Sequence, residues 1–238
     1  GHAEKVPDEC YVIRALEMNA GDIWFTDHAP FPGNPFGNRM AIEQLPEYLE
    51  TLTTLKEKYA ERIRVHIGLE IEFFEGYAEY YRKLYEEPRL ELLLLGQHMA
   101  EVALNQYSFS LPKAELEERE AECLVKALVG GMNTGYFKVC AHPDRCFRRK
   151  KEWTAELEAL SKELIRAAEA NHVVLERNLS SMRHKHHYWE EFWSLVPEHV
   201  STIVGCDAHW VSELAGQEAG RQEAARGTLE WMKNNGNM

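Results

Sequence analysis

Residues 63–73 read IRVHIGLEIEF, a short run of mostly aliphatic residues that ends among acidic ones. A run of this length and composition predicts a buried β-strand. Two carboxylates, Glu70 and Glu72, stand close to its carboxyl end. Similar apolar runs recur along the chain, and longer amphipathic segments rich in charge separate them. The run at 63–73 therefore indicates both an element of the fold and a place where polar side chains gather.

The alternation of these two kinds of segment predicts an α/β fold. Six strands are predicted, over Asp22–Thr26, Ile63–Phe73, Leu90–Leu95, Tyr136–Cys140, His172–Leu179 and Val200–Cys206. Helices are predicted over Asp8–Asn19, Pro46–Ala60, Tyr77–Glu87, Lys113–Leu128, Glu152–Ala170, Tyr188–Leu195 and Gln217–Lys233. Strands that alternate with helices predict a parallel sheet, either open or closed into a barrel. No linker or charge-block boundary divides the chain, so we predict one domain over residues 1–238.

The bulk composition excludes several classes of protein. The formal net charge of −12 disfavours a nucleic-acid-binding surface, which depends on many Lys and Arg contacts to phosphate. No apolar run approaches the roughly 20 residues that are needed to cross a bilayer, so we expect no contact with a membrane. The five cysteines show no pairing pattern, which favours reduced thiols and a cytoplasmic protein.

The ends of the predicted strands carry most of the reactive side chains. These ends contain Asp27-His28, Glu70-Ile71-Glu72, Gln97-His98, His142-Pro143-Asp144, Glu176-Arg177-Asn178 and Asp207-Ala208-His209. In parallel sheets and barrels, ligands collect at the carboxyl ends of the strands. Histidine and carboxylate are donors that suit zinc, iron and manganese. Several of them at one barrel mouth predict a multinuclear hydrolytic metal centre, although any one alone is commonly a structural residue.

Four motifs, taken in order, resemble those of a known family. TDHAP at 26–30, GLEIE at 68–72, HPD at 142–144 and CDAH at 206–209 resemble the successive motifs of the polymerase and histidinol phosphatase (PHP) family. The DHAPFP run at 27–32 favours its histidinol-phosphatase-like branch. The resemblance implies a distorted (β/α)7 barrel that holds two or three divalent metal ions (Zn, Mn or Fe) at its mouth.

Carried over position by position, the resemblance also implies a set of metal ligands. The set is His2, His28, Glu70, His98, His142, Asp207 and His209. In this scheme, one metal is held by His2, His28 and His209. Glu70 bridges the other two metals, His98 and His142 complete the second, and Asp207 serves the remaining one. Glu70 and Asp207 also count as catalytic residues, together with Arg183.

The chain departs from the family pattern in two places. PHP proteins open with a strand that bears an Asp-x-His-x-His motif, and this sequence contains no match to it. We therefore expect the first strand and two ligands to be missing from this chain, through truncation of the sequence or through loss. The second departure is Arg177, where relatives usually have an apolar residue. If that face packs under a helix, the guanidinium needs a carboxylate partner or an exposed end.

Several other polar residues are candidates for supporting roles. Arg183 is the first choice and Arg145 the second for gripping the substrate phosphate, and the alternative for each is an ordinary surface arginine. Asp27 and Asp144 adjoin presumed ligands, so either could orient an imidazole or cap a loop.

Polar groups farther along the strands and loops have weaker assignments. Glu72 and Glu75 could contact an imidazole or amine of a substrate, and a solvated role is at least equally favoured. The histidine-rich stretch at 184–187 is interpreted as a solvated loop; if it has a function, we expect it to border the substrate entrance. His66, His172 and His199 are expected to be structural.

These features favour metal-dependent hydrolysis of a phosphate monoester, with histidinol phosphate as the favoured substrate, as in histidine biosynthesis. One alternative is a PHP-type phosphoesterase that acts on another phosphate mono- or diester. The other is a catalytically silent PHP-like domain that binds a ligand or partner. We expect a small phosphorylated molecule to be the partner, with neither nucleic acid nor membrane. The sequence does not indicate an oligomeric state.

Overall fold

The computed structural model describes residues 3–184, 186–216, 218–223 and 226. The strands are β1 (Asp22–His28), β2 (Arg64–Ile71), β3 (Leu92–Leu95), β4 (Glu101–Ala103), β5 (Gln106–Tyr107), β6 (Val139–Cys140), β7 (Val174–Asn178) and β8 (Thr202–Gly205). The helices are α1 (Glu9–Glu17), α2 (Leu45–Tyr59), α3 (Ala78–Tyr85), α4 (Lys113–Asn133), α5 (Ala155–Ala170), α6 (Leu179–Met182) and α7 (Glu190–Ser194). None of the described helices combines the length and apolar character that a bilayer crossing requires.

Six of the strands form one parallel sheet in the order β1-β2-β3-β6-β7-β8, which follows their order along the chain. A parallel sheet that grows in one direction, with a helical connection after nearly every strand, curls toward a barrel. The sheet is accordingly a curled parallel half-barrel, and the predicted α/β class is confirmed. All its carboxyl ends lie on one rim, so the side chains that follow the strands can converge there.

The predicted strands are all present, with their ends shifted by a few residues. The hairpin formed by β4 and β5 was not predicted, because it is a short antiparallel ribbon within the connection after β3. Of the last predicted helix, residues 218–223 are helical, and most of its remaining length lies outside the described residues. Helix α5 begins at Ala155, three residues after the predicted start at Glu152. Its N-cap is Thr154, whose hydroxyl accepts from the backbone N–H of Leu157 at 3.3 Å.

The hydrophobic core lies mainly between the outer face of the sheet and the helices. One cluster joins α1 and α2 to β1 and β2, with Leu52 and Val65 fully buried. A larger cluster lies under α4 and α5 and includes Leu95 and Leu124. Because successive side chains of a strand alternate between faces, the residues between these core positions point into the half-barrel. That inner face presents His28 and Glu70, which are direct register partners in β1 and β2.

The N-terminal segment connects the two edge strands of the described sheet. The backbone N–H of Glu4 donates to the carbonyl of His209 at 2.7 Å, and the Tyr11 hydroxyl donates to the same carbonyl at 3.0 Å. The Glu4 carboxylate accepts from the N–H of Val211 at 3.0 Å. These contacts fix the segment after β8 against the start of the chain that leads into β1.

The core assignment predicts a large difference between two leucines. Leu124→Ala in α4 removes a fully buried side chain and should lower the free energy of unfolding by about 2–5 kcal/mol. Leu104→Ala at the β4–β5 turn is the matched control, because that side chain is 90% exposed, and its effect should stay within about 0.5 kcal/mol. Urea denaturation followed by circular dichroism measures both; equal effects would contradict this packing.

Candidate metal centre

The carboxylate of Glu70 is the meeting point of three histidines. His142 Nε2 lies 2.9 Å from Glu70 Oε1, His98 Nε2 lies 3.5 Å from the same oxygen, and His28 Nδ1 lies 3.4 Å from Oε2. Each imidazole comes from a different strand end: His28 closes β1, His98 follows β3 and His142 follows β6. The parallel sheet therefore brings four of the predicted site residues together at one rim.

This group has the donor chemistry of a metal site. One ligand atom each from His28, Glu70 and His98 lies within 4.8 Å of the others. Two imidazole nitrogens and a carboxylate oxygen at such separations fit zinc, manganese or iron. Glu70 is 6% exposed, so an ion placed among these atoms would be largely shielded from bulk water.

The protonation states of these residues also suit a divalent ion. Burial opposes ionisation of Glu70, but the charges of His98 and His28 and the hydrogen bond from His142 outweigh it and hold the pKa well below its usual range. Burial lowers the pKa of His28 to about 4 and also lowers the pKa of His142. Burial opposes a charge on His98 as well, but Glu70 and Glu72 outweigh it and raise the pKa of that ring. Metal binding requires an ionised carboxylate and neutral imidazoles, so a bound ion would replace the proton of His98. Glu70, His28 and His142 already have the protonation states that a divalent ion needs.

Two glycines make room for carboxylates at this rim. A Cβ on Gly96, which follows β3, would overlap Glu70 Oε1, and a Cβ on Gly205 in β8 would overlap Glu176 Oε1. Each carboxylate thus packs directly over the backbone of the neighbouring strand end. Glycine permits this close approach because it has no side chain.

Asp207 and His209 lie at the end of β8, beside Arg145. Arg145 Nη1 lies 3.9 Å from Asp207 Oδ2, and His209 Nδ1 lies 3.7 Å from Asp207 Oδ1. Asp207 and His142 both have positive φ, at 49° and 31°, a left-handed conformation that is uncommon for residues other than glycine. His2, the remaining predicted ligand, lies outside the described residues.

Known proteins resemble this chain in both sequence and fold. The PHP domain model matches residues 3–180. The chain belongs to the PHP family. A Deinococcus radiodurans protein named "Probable histidinol-phosphatase" is 33% identical over 153 residues, which cover 60% of this chain and 56% of that protein. The alignment thus spans little more than half the length of this curated PHP relative.

Two solved structures resemble the chain in fold. One is from Listeria monocytogenes and has a provisional assignment as the histidinol phosphatase HisK; the TM-score is 0.74 at 18% identity, with 92% of this chain and 94% of the other covered. The second is histidinol phosphate phosphatase from Lactococcus lactis in complex with zinc, L-histidinol and phosphate; the TM-score is 0.69 at 18% identity, with 96% and 88% covered. At such identity, the likeness shows the PHP fold alone.

Arg145 and Arg183, which were predicted to bind the substrate phosphate, have different environments in this PHP chain. Arg145 Nε is buried and has no hydrogen-bond partner among the described residues. Arg183 is more exposed, and its Nη1 lies 3.6 Å from Glu213 Oε1. His187, in the stretch predicted to border the entrance, has its pKa lowered to about 4 by burial and by the positive charge of Arg145. That stretch therefore lies close to Arg145 rather than away from the rim.

Glu176 is a buried acid that the sequence did not single out as a site residue. Its Oε2 accepts from Asn178 Nδ2 at 3.1 Å and from the backbone N–H of His142 at 3.3 Å. Burial, followed by the negative charges of Asp207 and Glu70, raises its pKa to about 8. In the sequence, Glu176 could have been recognised as a carboxylate near the carboxyl end of a predicted strand, on the same face as Asn178.

Asp144 ties two tryptophans to the HPD motif. Its Oδ2 accepts from the backbone N–H of Trp189 at 2.8 Å and from Trp193 Nε1 at 3.0 Å. Of the two roles predicted for Asp144, these contacts match the one that holds a loop. Asp27 and His28 are neighbours in β1, so their side chains leave the strand on opposite faces, and the role predicted for Asp27 stays a prediction.

Arg177 is partly buried and has aromatic contacts that the sequence did not indicate. The guanidinium donates to the Tyr188 hydroxyl at 2.8 Å and lies 4.6 Å from the centroid of a Trp193 ring. An aromatic face can accommodate a guanidinium because the ring presents negative charge density to it. For Glu72, the solvated alternative was wrong, since that carboxylate is fully buried.

The space that Gly96 leaves for the Glu70 carboxylate can be tested by filling it with a single methyl group. Gly96→Ala should push the Glu70 carboxylate out of its place and weaken zinc binding by more than about tenfold, a loss comparable to that of a supporting contact. Gly37→Ala is the control, because a Cβ there meets nothing within 4 Å. Competition with a fluorescent chelator measures both affinities. Unchanged affinity in a folded Gly96→Ala protein would rule out this arrangement of Glu70.

Proposed function

We propose that this chain carries a metal-dependent phosphatase activity that hydrolyses histidinol phosphate to histidinol and phosphate. The observation that carries the proposal is the buried, ionised Glu70 carboxylate with His28, His98 and His142 around it. The named activity of the Deinococcus relative supports the choice of substrate. The Lactococcus protein, which has the same fold, binds zinc, L-histidinol and phosphate, and this supports it further.

Two or three divalent ions, of Zn, Mn or Fe, are proposed for this centre. His28, with His209 and His2, would hold one part of it, and His98 and His142 the other, with Asp207 serving the remaining ion. When bound, such ions acidify a water molecule and neutralise negative charge on a phosphoryl group. Glu70 is the residue best suited to join the two parts, because its two oxygens face different histidines.

The chain's own cations would bind and orient the phosphate. Arg145 is the stronger candidate, since its buried Nε is a donor with no protein acceptor among the described residues. Leaving such a donor without a partner is costly, so an anionic oxygen beside it would be stabilised. Arg183, with its exposed guanidinium, would reach the same anion from the segment after β7. Local cations of this kind attract a phosphate despite the net charge of −12.

We also propose a domain organisation and a cellular compartment for the chain. The continuous six-stranded sheet supports one PHP-like domain over residues 1–238. All five cysteines are free, which supports a reducing compartment such as the cytoplasm.

Removal of the central ligands should abolish turnover. Glu70→Ala and His142→Ala should each lower kcat/KM for histidinol phosphate by more than about 100-fold, beyond the loss expected for a supporting residue. His199→Ala is the control, because that imidazole is exposed and pairs with the surface carboxylate of Glu169, away from the rim of the sheet. Phosphate release from zinc- or manganese-loaded protein measures the rates, and circular dichroism verifies the fold. Full activity in the Glu70 variant would remove it from the centre.

Metal removal distinguishes the enzyme from a silent binding domain. Dialysis against a chelator should abolish phosphate release, and addition of Zn²⁺ or Mn²⁺ should restore it, because a bound ion would acidify the attacking water. Parallel assays with other phosphate mono- and diesters identify the leaving group. If the metal-loaded protein hydrolyses no phosphoester, the phosphatase proposal fails and the binding alternative is favoured.

A further inference from the structure

Beside the metal centre lies a buried ion pair that the proposed chemistry does not use. Arg39 donates from Nη1 and Nη2 to the two oxygens of Glu72, at 2.8 Å and 3.0 Å. The Glu72 side chain is fully buried, and that of Arg39 is 6% exposed. Arg39 also donates to the carbonyl of Ala29 at 3.1 Å, and its guanidinium carbon lies 5.6 Å from the ring centroids of both Phe31 and Phe36.

The same carboxylate contacts the back of a candidate metal ligand. Glu72 Oε1 lies 3.1 Å from His98 Nδ1, while His98 Nε2 faces Glu70 Oε1. Both oxygens of Glu72 accept from the Arg39 guanidinium, which is the bidentate geometry of an ionised carboxylate. An ionised carboxylate can only accept hydrogen bonds, so the shared proton belongs to Nδ1. In the neutral ring that a metal ion would bind, the lone pair is then on Nε2, toward the metal centre.

His98 needs such support because it lies in neither a helix nor a strand. Its carbonyl is held by a second buried pair: Arg148 Nη2 donates to the His98 carbonyl at 2.9 Å and to Glu120 Oε1 at 2.9 Å. Glu120, in α4, is 2% exposed. The ring and the backbone of His98 are thus each fixed by a different Arg–Glu pair.

Stability alone is a poor explanation for the Arg39–Glu72 pair. The cost of removing two charges from water largely cancels their attraction, so apolar residues of similar volume often stabilise a core as well or better. Carboxylates that receive the second ring N–H of a metal-bound histidine, in contrast, fix its tautomer and orientation.

We propose that Glu72, held in place by Arg39, is a positioning residue that fixes the tautomer and ring orientation of His98 for metal binding. The inference rests on the proposed metal centre, and it assigns Glu72 to the support of a ligand rather than to contact with the substrate. It also links the loop at residues 29–39 to the metal centre, since Arg39 closes that loop onto Glu72.

The test compares two variants that differ only in whether His98 Nδ1 has an acceptor. Arg39→Met with Glu72→Leu replaces the pair by apolar residues, which avoids a lone buried charge. Arg39→Met with Glu72→Gln restores an amide oxygen at the same place. Zinc affinity is measured on chelator-treated full chain by competition with a fluorescent chelator. We expect the Leu variant to bind zinc about 10–100-fold more weakly than wild type, and the Gln variant to recover at least part of that loss.

If Glu72 had a purely structural role, the two double variants would have the same zinc affinity. Equal zinc affinities in folded Leu and Gln variants would therefore overturn the proposal, as would a wild-type chain that binds no zinc. Glu75→Gln, at an exposed position three residues along, should leave the affinity unchanged.

A second measurement needs no variant of the ion pair. In zinc-loaded wild-type protein, ¹⁵N NMR of the histidine rings, assigned through His98→Gln, should show His98 protonated at Nδ1. The opposite tautomer would overturn the proposal even if the double variants fail to fold. Both readouts are independent of turnover: zinc binding with the expected tautomer but no hydrolysis would refute the proposed function and leave this inference intact.

Discussion

An ionised carboxylate that is buried at the rim of the half-barrel constrains everything around it. Burial of an unpaired charge costs several kcal/mol, so the fold must also place hydrogen-bonding partners beside the Glu70 carboxylate. A histidine at the end of β1, and one just after each of β3 and β6, contacts it. Gly96 leaves the space in which the carboxylate lies. The parallel sheet is the scaffold on which residues far apart in sequence can meet this requirement together.

Much of the fold and part of the site could be predicted because they depend on local patterns. Short apolar runs predicted every strand of the main sheet, and the polar residues after them identified the group around Glu70. The support of that group could not be predicted, because it consists of contacts between distant residues. Arg39 and Glu72 are 33 positions apart, and a glutamate in sequence looks the same whether it is solvated or buried. Arg177 illustrates the same limit, since only the packing of α7 shows that its partners are aromatic.

The comparison with solved PHP proteins shows how weakly the fold depends on sequence identity. At 18% identity, 92% of this chain superimposes on the Listeria structure with a TM-score of 0.74. A half-barrel needs only apolar strands of suitable length and helices to cover them, and many sequences satisfy that need. The rim is different, because a specific side chain is required at each strand end. Inference about activity therefore depends on the rim residues rather than on the overall likeness.

The left-handed backbone at His142 has a consequence for how this protein could evolve. A non-glycine residue at φ 31° and ψ 57° is strained by about 1 kcal/mol or more, a strain that glycine would relieve. Replacement by glycine would relieve that strain, but it would also leave a cavity and take a hydrogen-bond partner from the buried Glu70 carboxylate, which costs about 1–3 kcal/mol or more. The partner outweighs the strain, so the fold and the proposed chemistry both favour histidine at this residue. Any replacement of His142 that evolution tolerates should therefore come with a second change that neutralises or removes the charge of Glu70.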